Sequence, residues 1–269
     1  VKLHVLVVVL SLYSLGHAST VMAQDGTLFC SKLFATGNPE YPPYLWRDPE
    51  NPKQLIGANA EIFSMISERL GIPIEVVYVG PWSRAQQEVR SGRIDLLAGA
   101  FLTMARIQYM DYVYPAFLDT TSVVWTRKEA NVDYQRREDL IDQQGITVIN
   151  NSFGQDFDHF AENNLIISTV PTLKQAFKML NLGRVDYLLY EKNPALAYIR
   201  EWGVADQAKV VGPPVSSEGL YLTISHKSSC NNGALRGRLA KITRDLVMDG
   251  STQQALQKGL AMWQESATQ

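Results

Sequence analysis

The stretch GRIDLLAGAFLTMAR (residues 92–106) decides the reading of this chain. Gly92 ends a helix, the apolar run Ile94–Ala98 predicts a buried strand, and Thr103 and Arg106 follow directly. In an α/β sheet the carboxyl ends of the strands open onto the ligand crevice. A guanidinium placed there offers a planar fork suited to a carboxylate. The frame recurs: RSGRIDLL (90–97) is echoed by NLGRVDYLL (181–189). Two similar strand units, each ending in a polar mouth, predict two lobes around one small molecule. Asp95 and Asp186 are expected to anchor strand starts, and Gly92 and Gly183 to terminate helices.

Working outward, strand and helix signals alternate, which is the grammar of βαβ units and a largely parallel sheet. Strands are predicted at Leu33–Thr36, Ile74–Val79, Ile146–Asn150, Val185–Tyr190 and Leu220–Ile224. Helices are predicted at Ala60–Leu70, Ser83–Ser91, Gly154–Asn163 with Ser152 as N-cap, and 173–180 capped by Thr172. Another opens with Pro194 at its first position. Two closing helices, near Ala234–Met248 and Thr252–Trp263, are hinged at Asp249-Gly250. The prolines of GNPEYPPYLW (37–46) forbid helix there. Leu118–Ser122 and Val211–Ser217 lie between complete units and read as lobe crossings. The expected organisation is a leader at 1–23, one lobe from 24–118 plus 217–269, and a second lobe from 119–216.

Four loops follow four strands. They carry Asn38 and Tyr41, then Gly99–Arg106, then Asn151-Ser152-Phe153-Gly154, then Glu191. If the sheets are parallel, all four face one cleft, two from each lobe. Arg106 brings positive charge and Glu191 negative charge. Ser152 with the free amides of a helix start suits an anion, amides near Gly99 and Phe101 add donors, and Tyr41, Tyr44 and Trp82 add flat apolar surface. The inventory fits a zwitterion. Taken singly, each residue has a plainer role: Arg106 in a surface ion pair, Glu191 favouring a helix dipole, Ser152 as a cap, Trp82 packing a loop.

Composition narrows the function. The 269 residues are 46% hydrophobic with a net charge of −2, and no basic run of the kind nucleic acid demands is present. Lys2, the apolar Val5–Leu15 and Val21-Met22-Ala23 read as a cleavable export signal, cut after Ala23, which places the protein in the periplasm. The sequence has two cysteines, Cys30 and Cys230. An exported chain lets them pair, and two buried thiols are the alternative. After processing only His159 and His226 remain, so no zinc constellation or Cys-His pair is expected. Neither GxSxG, GxxxxGK nor HExxH occurs. No metal or cofactor is expected.

With YPPY (41–44), Trp82 thirteen residues before Asp95, SGRIDLLAG (91–99), TMAR (103–106) and the closing DGS…W (249–263) in view, the chain resembles the bacterial extracellular solute-binding proteins of family 3. These are the polar amino-acid-binding components of ABC importers, and the likeness spans roughly residues 27–265. It implies a type II periplasmic binding protein fold, α/β, with two lobes of mostly parallel sheet flanked by helices and two hinge crossings. It also implies that Arg106 grips a ligand α-carboxylate, with backbone donors at Phe101 and Gly99. Tyr41 and Trp82 bracket the ligand side chain, Asn151–Gly154 form the second-lobe loop, and Glu191 receives the α-ammonium. The chain departs from the family habit at Asn38 and Glu191, where aspartate is frequent, at Asn151, often glycine, and at Phe101, often serine or threonine. Losing the acid at Asn38 argues against a strongly cationic ligand side chain.

The implied function is capture of an amino acid or related carboxylate by hinge closure, by a monomer that hands it to an ABC permease. Two rivals share the scaffold. One is a cyclohexadienyl or arogenate dehydratase-like enzyme with Glu191 as general acid, although a second basic group for a second carboxylate is not evident. The other is a protein that presents its ligand to a membrane sensor.

Overall fold

The computed structural model describes residue 1 and residues 30–266. The leader assigned to 1–23, with its cut after Ala23, lies outside the described residues. In chain order the elements begin with β1 (Leu33–Thr36), β2 (Glu40–Tyr41), β3 (Leu45–Arg47), β4 (Leu55–Ile56), α1 (Ala58–Leu70), β5 (Ile74–Val76), α2 (Trp82–Ser91), β6 (Leu96–Ala100) and α3 (Met104–Ile107). The long β7 (Met110–Arg127) leads to a 3-10 turn (Arg137–Leu140), β8 (Gln144–Val148), α4 (Gln155–Asn164), β9 (Ile166–Val170), α5 (Leu173–Asn181), β10 (Tyr187–Glu191) and α6 (Lys192–Glu201). The equally long β11 (Ala208–Ser225), then α7 (Gly233–Met248) and α8 (Ser251–Ser266), complete the order.

Eight strands form one continuous sheet in the order β5-β1-β6-β11-β7-β10-β8-β9, and β2-β3-β4 form a small second sheet. β1 is parallel to β5 and β6, and β10 and β9 are parallel to β8. β7 and β11 run antiparallel to each other and to their outer neighbours. Buried apolar side chains separate along the same line. Two clusters draw on residues 30–118 and 220–256, including Phe63, Phe117 and Leu222, and two others on residues 123–215, including Trp125 and Phe177. The architecture is therefore two-lobed α/β, with β7 and β11 as the shared spine.

The repeated motif has one structural meaning in both lobes. The Asp95 carboxylate accepts from the Phe34 amide at 2.9 Å, and the Asp95 amide donates back to the Phe34 carbonyl at 3.0 Å. The Asp186 carboxylate accepts from the Gln144 amide at 2.8 Å, and the Asp186 amide donates to the Gln144 carbonyl at 2.8 Å. Each aspartate locks the start of one parallel strand to its neighbour. β6 and β10 begin one residue after Asp95 and Asp186 and run past the predicted ends Ala98 and Tyr190.

The segments Leu118–Ser122 and Val211–Ser217, read as extended lobe crossings, lie inside β7 and β11, where Ser122 pairs with Ser216. Pro213-Pro214 cannot donate to a ladder, and the register shifts between Val211 and Ser216 to accommodate them. The N-cap of α4 is Gly154 rather than Ser152; the Ser152 hydroxyl donates to Asp158 at 2.5 Å and accepts from the Gly154 amide at 3.3 Å, one residue ahead of the helix. Pro194 sits in the first turn of α6 but not at its first position; Glu191 is the N-cap. β9 escaped the sequence reading because its pattern, largely exposed at a sheet edge, has no clean alternation. Cys30 and Cys230 are disulfide-bonded with Cα atoms 5.6 Å apart, tying the lead-in to β1 to the loop before α7.

Candidate functional site

The loop after β6 is shaped before it is functional. Gly99 has φ 102°, where a side chain is strained, and an added Cβ would lie 2.8 Å from Asn59 Nδ2. Asn59 uses that same nitrogen to hold the Ala98 carbonyl at 2.8 Å. Thr103 caps α3, its hydroxyl accepting from the Arg106 amide at 3.3 Å. This cap turns the Arg106 side chain back under the loop, where Nη1 donates to the Phe101 carbonyl at 3.1 Å. Tyr112 donates to the same carbonyl at 2.6 Å. Arg106 is only 6% exposed, and its guanidinium lies 5.4 Å from the Trp82 ring centre.

Opposite, the loop after β8 turns at Asn150, which adopts φ 59°, a left-handed conformation that asparagine tolerates better than most residues. Its carbonyl accepts from three side chains of the facing lobe: Trp82 Nε1, Gln86 Nε2 and Arg106 Nη2, each at 3.2 Å. A second flank of interlobe contacts lies across the cleft. Asn38 Nδ2 donates to the Tyr190 hydroxyl at 3.4 Å, and that hydroxyl donates to the Glu40 carbonyl at 3.2 Å. The Glu40 carboxylate accepts from the Leu173 amide at the start of α5 at 3.2 Å. Asn193 donates to the Tyr44 hydroxyl at 3.3 Å. Further out, Trp263 meets Trp46 at 5.3 Å and Tyr198 at 5.2 Å between ring centres.

Between the flanks lies a cavity that collects most of the residues named from sequence. Asn38, Tyr41, Trp82, Gly99, Phe101 and Arg106 come from one lobe; Asn151 and Glu191 come from the other. Ser152 lines a separate polar recess that also touches Arg106 and Asn151. Tyr44 and Phe153 are not in the cavity wall. Tyr44 packs behind Tyr41 with ring centres 5.1 Å apart, and Phe153 faces its own core against Phe157 at 5.8 Å. Leu45, Ala98, Ala100 and Leu220 complete the wall. Nothing polar marked them in the sequence. The Asn150 carbonyl was also missed, although an Asn-Asn pair after an apolar strand was a usable sign of a left-handed turn.

Glu191 is 2% exposed. Loss of solvation pushes its carboxyl up to about 7, against the smaller opposing pull of its own backbone, Asn151, Arg106 and Tyr41. Glu191 Oε2, Asn151 Nδ2 and Tyr41 Oη are all buried, and none makes a hydrogen bond of full geometry, although Asn151 and Tyr41 lie close enough to Glu191 to favour its charge. Buried polar atoms are normally satisfied, and here three around one cavity are not fully so. Among the described residues no cluster of three or more His, Cys, Asp or Glu side chains could hold a metal ion, and no helix is long and apolar enough to cross a membrane.

Two lobes on a double-strand spine, with an arginine from one and an acid from the other lining the cavity between them, give the two-lobed fold of the periplasmic binding proteins. Residues 35–261 match the family described as bacterial extracellular solute-binding proteins, family 3, and the chain belongs to that family. It is 24% identical over 235 residues to the L-cystine-binding protein TcyA of Bacillus subtilis (strain 168), covering 85% of this chain and 83% of TcyA. Among solved structures it resembles a histidine kinase sensor domain with similarity to periplasmic binding proteins, at a TM-score of 0.70 and 21% identity over 87% of this chain and 96% of that one. It also resembles the amino acid ABC transporter substrate-binding protein AbpA from Streptococcus pneumoniae Canada MDR_19A bound to L-arginine, at a TM-score of 0.69 and 17% identity, with 87% and 96% covered. At these identities the structural likeness shows the fold.

Proposed function

We propose that this protein is an exported amino-acid-binding protein that captures its ligand in the interlobe cavity by hinge closure and delivers it to an ABC importer. The observation that carries the reading is the pairing of buried Arg106 with buried Glu191 across one cavity whose polar atoms are incompletely satisfied. A zwitterion offers a carboxylate to the first and an ammonium to the second. Arg106 with the amides of Gly99 and Phe101 takes the carboxylate, Trp82 and Tyr41 flank the ligand, and Glu191 with Asn151 takes the ammonium. Tyr44 supports Tyr41, while Ser152 and Phe153 fix the loop that carries Asn151. The lobes divide at 118/119 and 216/217, within the paired spine strands, and a cleavable leader directs the chain to the periplasm, where it acts as a monomer.

Closure follows from contacts made only when the lobes meet. The Asn150 carbonyl gathers three donors from the facing lobe, so the joint that seals the cavity also orients the arginine. The cavity walls hold a single cation, Arg106, which argues for binding over the dehydratase alternative, since a ring dicarboxylate brings two anionic groups. The L-cystine-binding TcyA favours an amino-acid ligand, the transporter protein AbpA favours delivery to a permease, and the sensor-domain likeness keeps delivery to a membrane receptor as the second reading. The test is calorimetry on the purified protein with the twenty amino acids. Saturable heat with at least one, lost in Arg106→Ala, is expected; no heat with any of them overturns the reading.

A further inference from the structure

We propose that Glu40 is a positioning residue of the closed cleft: without lining the cavity, it caps helix α5 of the facing lobe and so sets Tyr41 opposite Glu191. This rests on the amino-acid capture and hinge closure proposed above. Glu40 immediately precedes the lining residue Tyr41 in β2, and Tyr190 immediately precedes the lining residue Glu191 in β10. The bond from the Tyr190 hydroxyl to the Glu40 carbonyl, at 3.2 Å, therefore joins the two lobes one residue away from each cavity wall. Tyr41 and Glu191 lie close enough to interact, since burial and then the charge of Glu191 raise the Tyr41 hydroxyl.

The side chain makes a second grip. The first amides of a helix have no acceptor inside it. In α5 the Thr172 hydroxyl accepts from the Gln175 amide at 3.3 Å, and the Thr172 carbonyl accepts from the Ala176 amide at 3.2 Å. The Leu173 amide finds its acceptor on the other lobe, in the Glu40 carboxylate at 3.2 Å. The first turn of α5 carries no acid of its own. Glu40 is fixed on its own side, because its amide donates to Asn38 Oδ1 at 3.0 Å and β2 pairs it with Trp46. One residue thus holds the start of α5 with its side chain and the end of β10 with its main chain, and separating the lobes breaks both bonds. Burial raises the Glu40 carboxyl above its ordinary 4.5, while the bond from Leu173 pulls it down. The hydrogen bond rather than the charge is what favours the contact, so a neutral acceptor of the same length can replace it.

The experiment follows exchange of the Leu173 amide by NMR in the intact protein, with and without an equimolar mixture of the twenty amino acids as the probe. The half-saturating concentration of the mixture is read in parallel from tryptophan fluorescence. In the wild type the mixture is expected to slow exchange at Leu173 at least about tenfold. Glu40→Ala is expected to remove that slowing and to raise the half-saturating concentration about two- to tenfold, the worth of one hydrogen bond. Glu40→Gln keeps the acceptor and should stay within about twofold of wild type in both readouts, a rescue that a merely structural role for the carboxylate would not give. Slowing that survives in Glu40→Ala overturns the cap and leaves amino-acid capture standing. A mixture that changes neither readout in the wild type overturns amino-acid capture instead. The cap is then judged on the proteins without amino acids: faster exchange at Leu173 in Glu40→Ala than in wild type upholds it, and equal exchange overturns it. Glu40→Asp, one methylene short of the amide, takes the place of Glu40→Ala should that variant not fold.

Discussion

The guanidinium of Arg106 donates to the main-chain carbonyl of Asn150 across the lobe gap at 3.2 Å, so the residue proposed to take the ligand carboxylate is also part of the joint. Trp82 and Gln86 reach the same oxygen from α2. In the proposed function, closure and ligand recognition share these atoms, so losing one disturbs the other.

Arg106→Ala is expected to abolish detectable binding. Stranding a buried carboxylate without its partner costs about 3–5 kcal/mol, a loss of hundreds-fold or more. Arg106→Lys should recover little of it, because an ammonium cannot reach the Phe101 and Asn150 carbonyls and the ligand with one planar fork. Titration calorimetry on both variants checks this, and wild-type affinity in either removes Arg106 from the site.

Binding is expected to be linked to proton release through Glu191. Its carboxyl sits at about 7 in the folded protein, above its ordinary 4.5, because burial disfavours the charge. A raised acid adds stability in its protonated form below the unfolded value, and that contribution disappears as pH rises through 4.5 to about 7. The whole swing is about 3 kcal/mol. Glu191→Gln should flatten the stability of the unliganded protein across this window. An incoming ammonium draws the carboxyl down again, so near pH 6.5 the wild type should release a fraction of a proton on binding. Calorimetry in buffers of different ionisation enthalpy reads this directly, and identical heats in all of them would contradict it.

Trp263→Ala should weaken affinity roughly two- to tenfold, since one aromatic pair is worth about 0.5–1.5 kcal/mol. The indole stays against Trp46 on its own lobe and meets Tyr198 on the other. Only the second contact depends on closure. An unchanged dissociation constant in the variant would show that Trp263 contributes nothing to the closed form.

Removing the disulfide with Cys30→Ser and Cys230→Ser together is expected to lower stability by about 2–4 kcal/mol while leaving ligand affinity nearly intact. The bridge lies away from the cavity, joining segments 200 residues apart in sequence. Chemical denaturation and binding, measured on the same preparation, separate the two effects.

Asp186→Ala should cost about 0.5–1.5 kcal/mol by removing the hydrogen bond to the exposed Gln144 amide. Asp95→Ala should cost more, since Asp95 also accepts from the Ser228 hydroxyl at 2.6 Å as well as from Phe34. Thermal melts of the two variants side by side test whether the repeated motif carries equal weight in both lobes.

Much of this arrangement was legible in the sequence. The echo around Asp95 and Asp186 foretold two equivalent units, and the capping signals at Gly92 and Thr172 placed helix ends correctly. Parallel strands then brought Arg106 and Glu191 to one cavity, as the loop positions required. What was not legible depends on pairing between distant segments. The antiparallel run of β7 against β11 has no local signature, and Pro213-Pro214 pointed to a break where the ladder shifts register and continues. Ser152 looked like a cap because no local rule reveals that its hydroxyl bonds Asp158 and the Gly154 amide instead. Tyr44 and Tyr41 are alike in type and close in sequence, and only packing decides which of them faces the cavity.

The spine has a consequence for the order of assembly. The core that spans residues 123–215 is complete in one uninterrupted segment, so it can condense while the remaining chain is still being made. The lobe bearing Arg106 cannot: β6 finds its inner neighbour only when β11 arrives, and Cys30 waits for a partner at position 230. The half that grips the guest is thus the last to mature. A chain cut short near residue 220 would carry a finished inserted lobe beside a first lobe whose β6 lacks its inner neighbour and whose Cys30 lacks its partner.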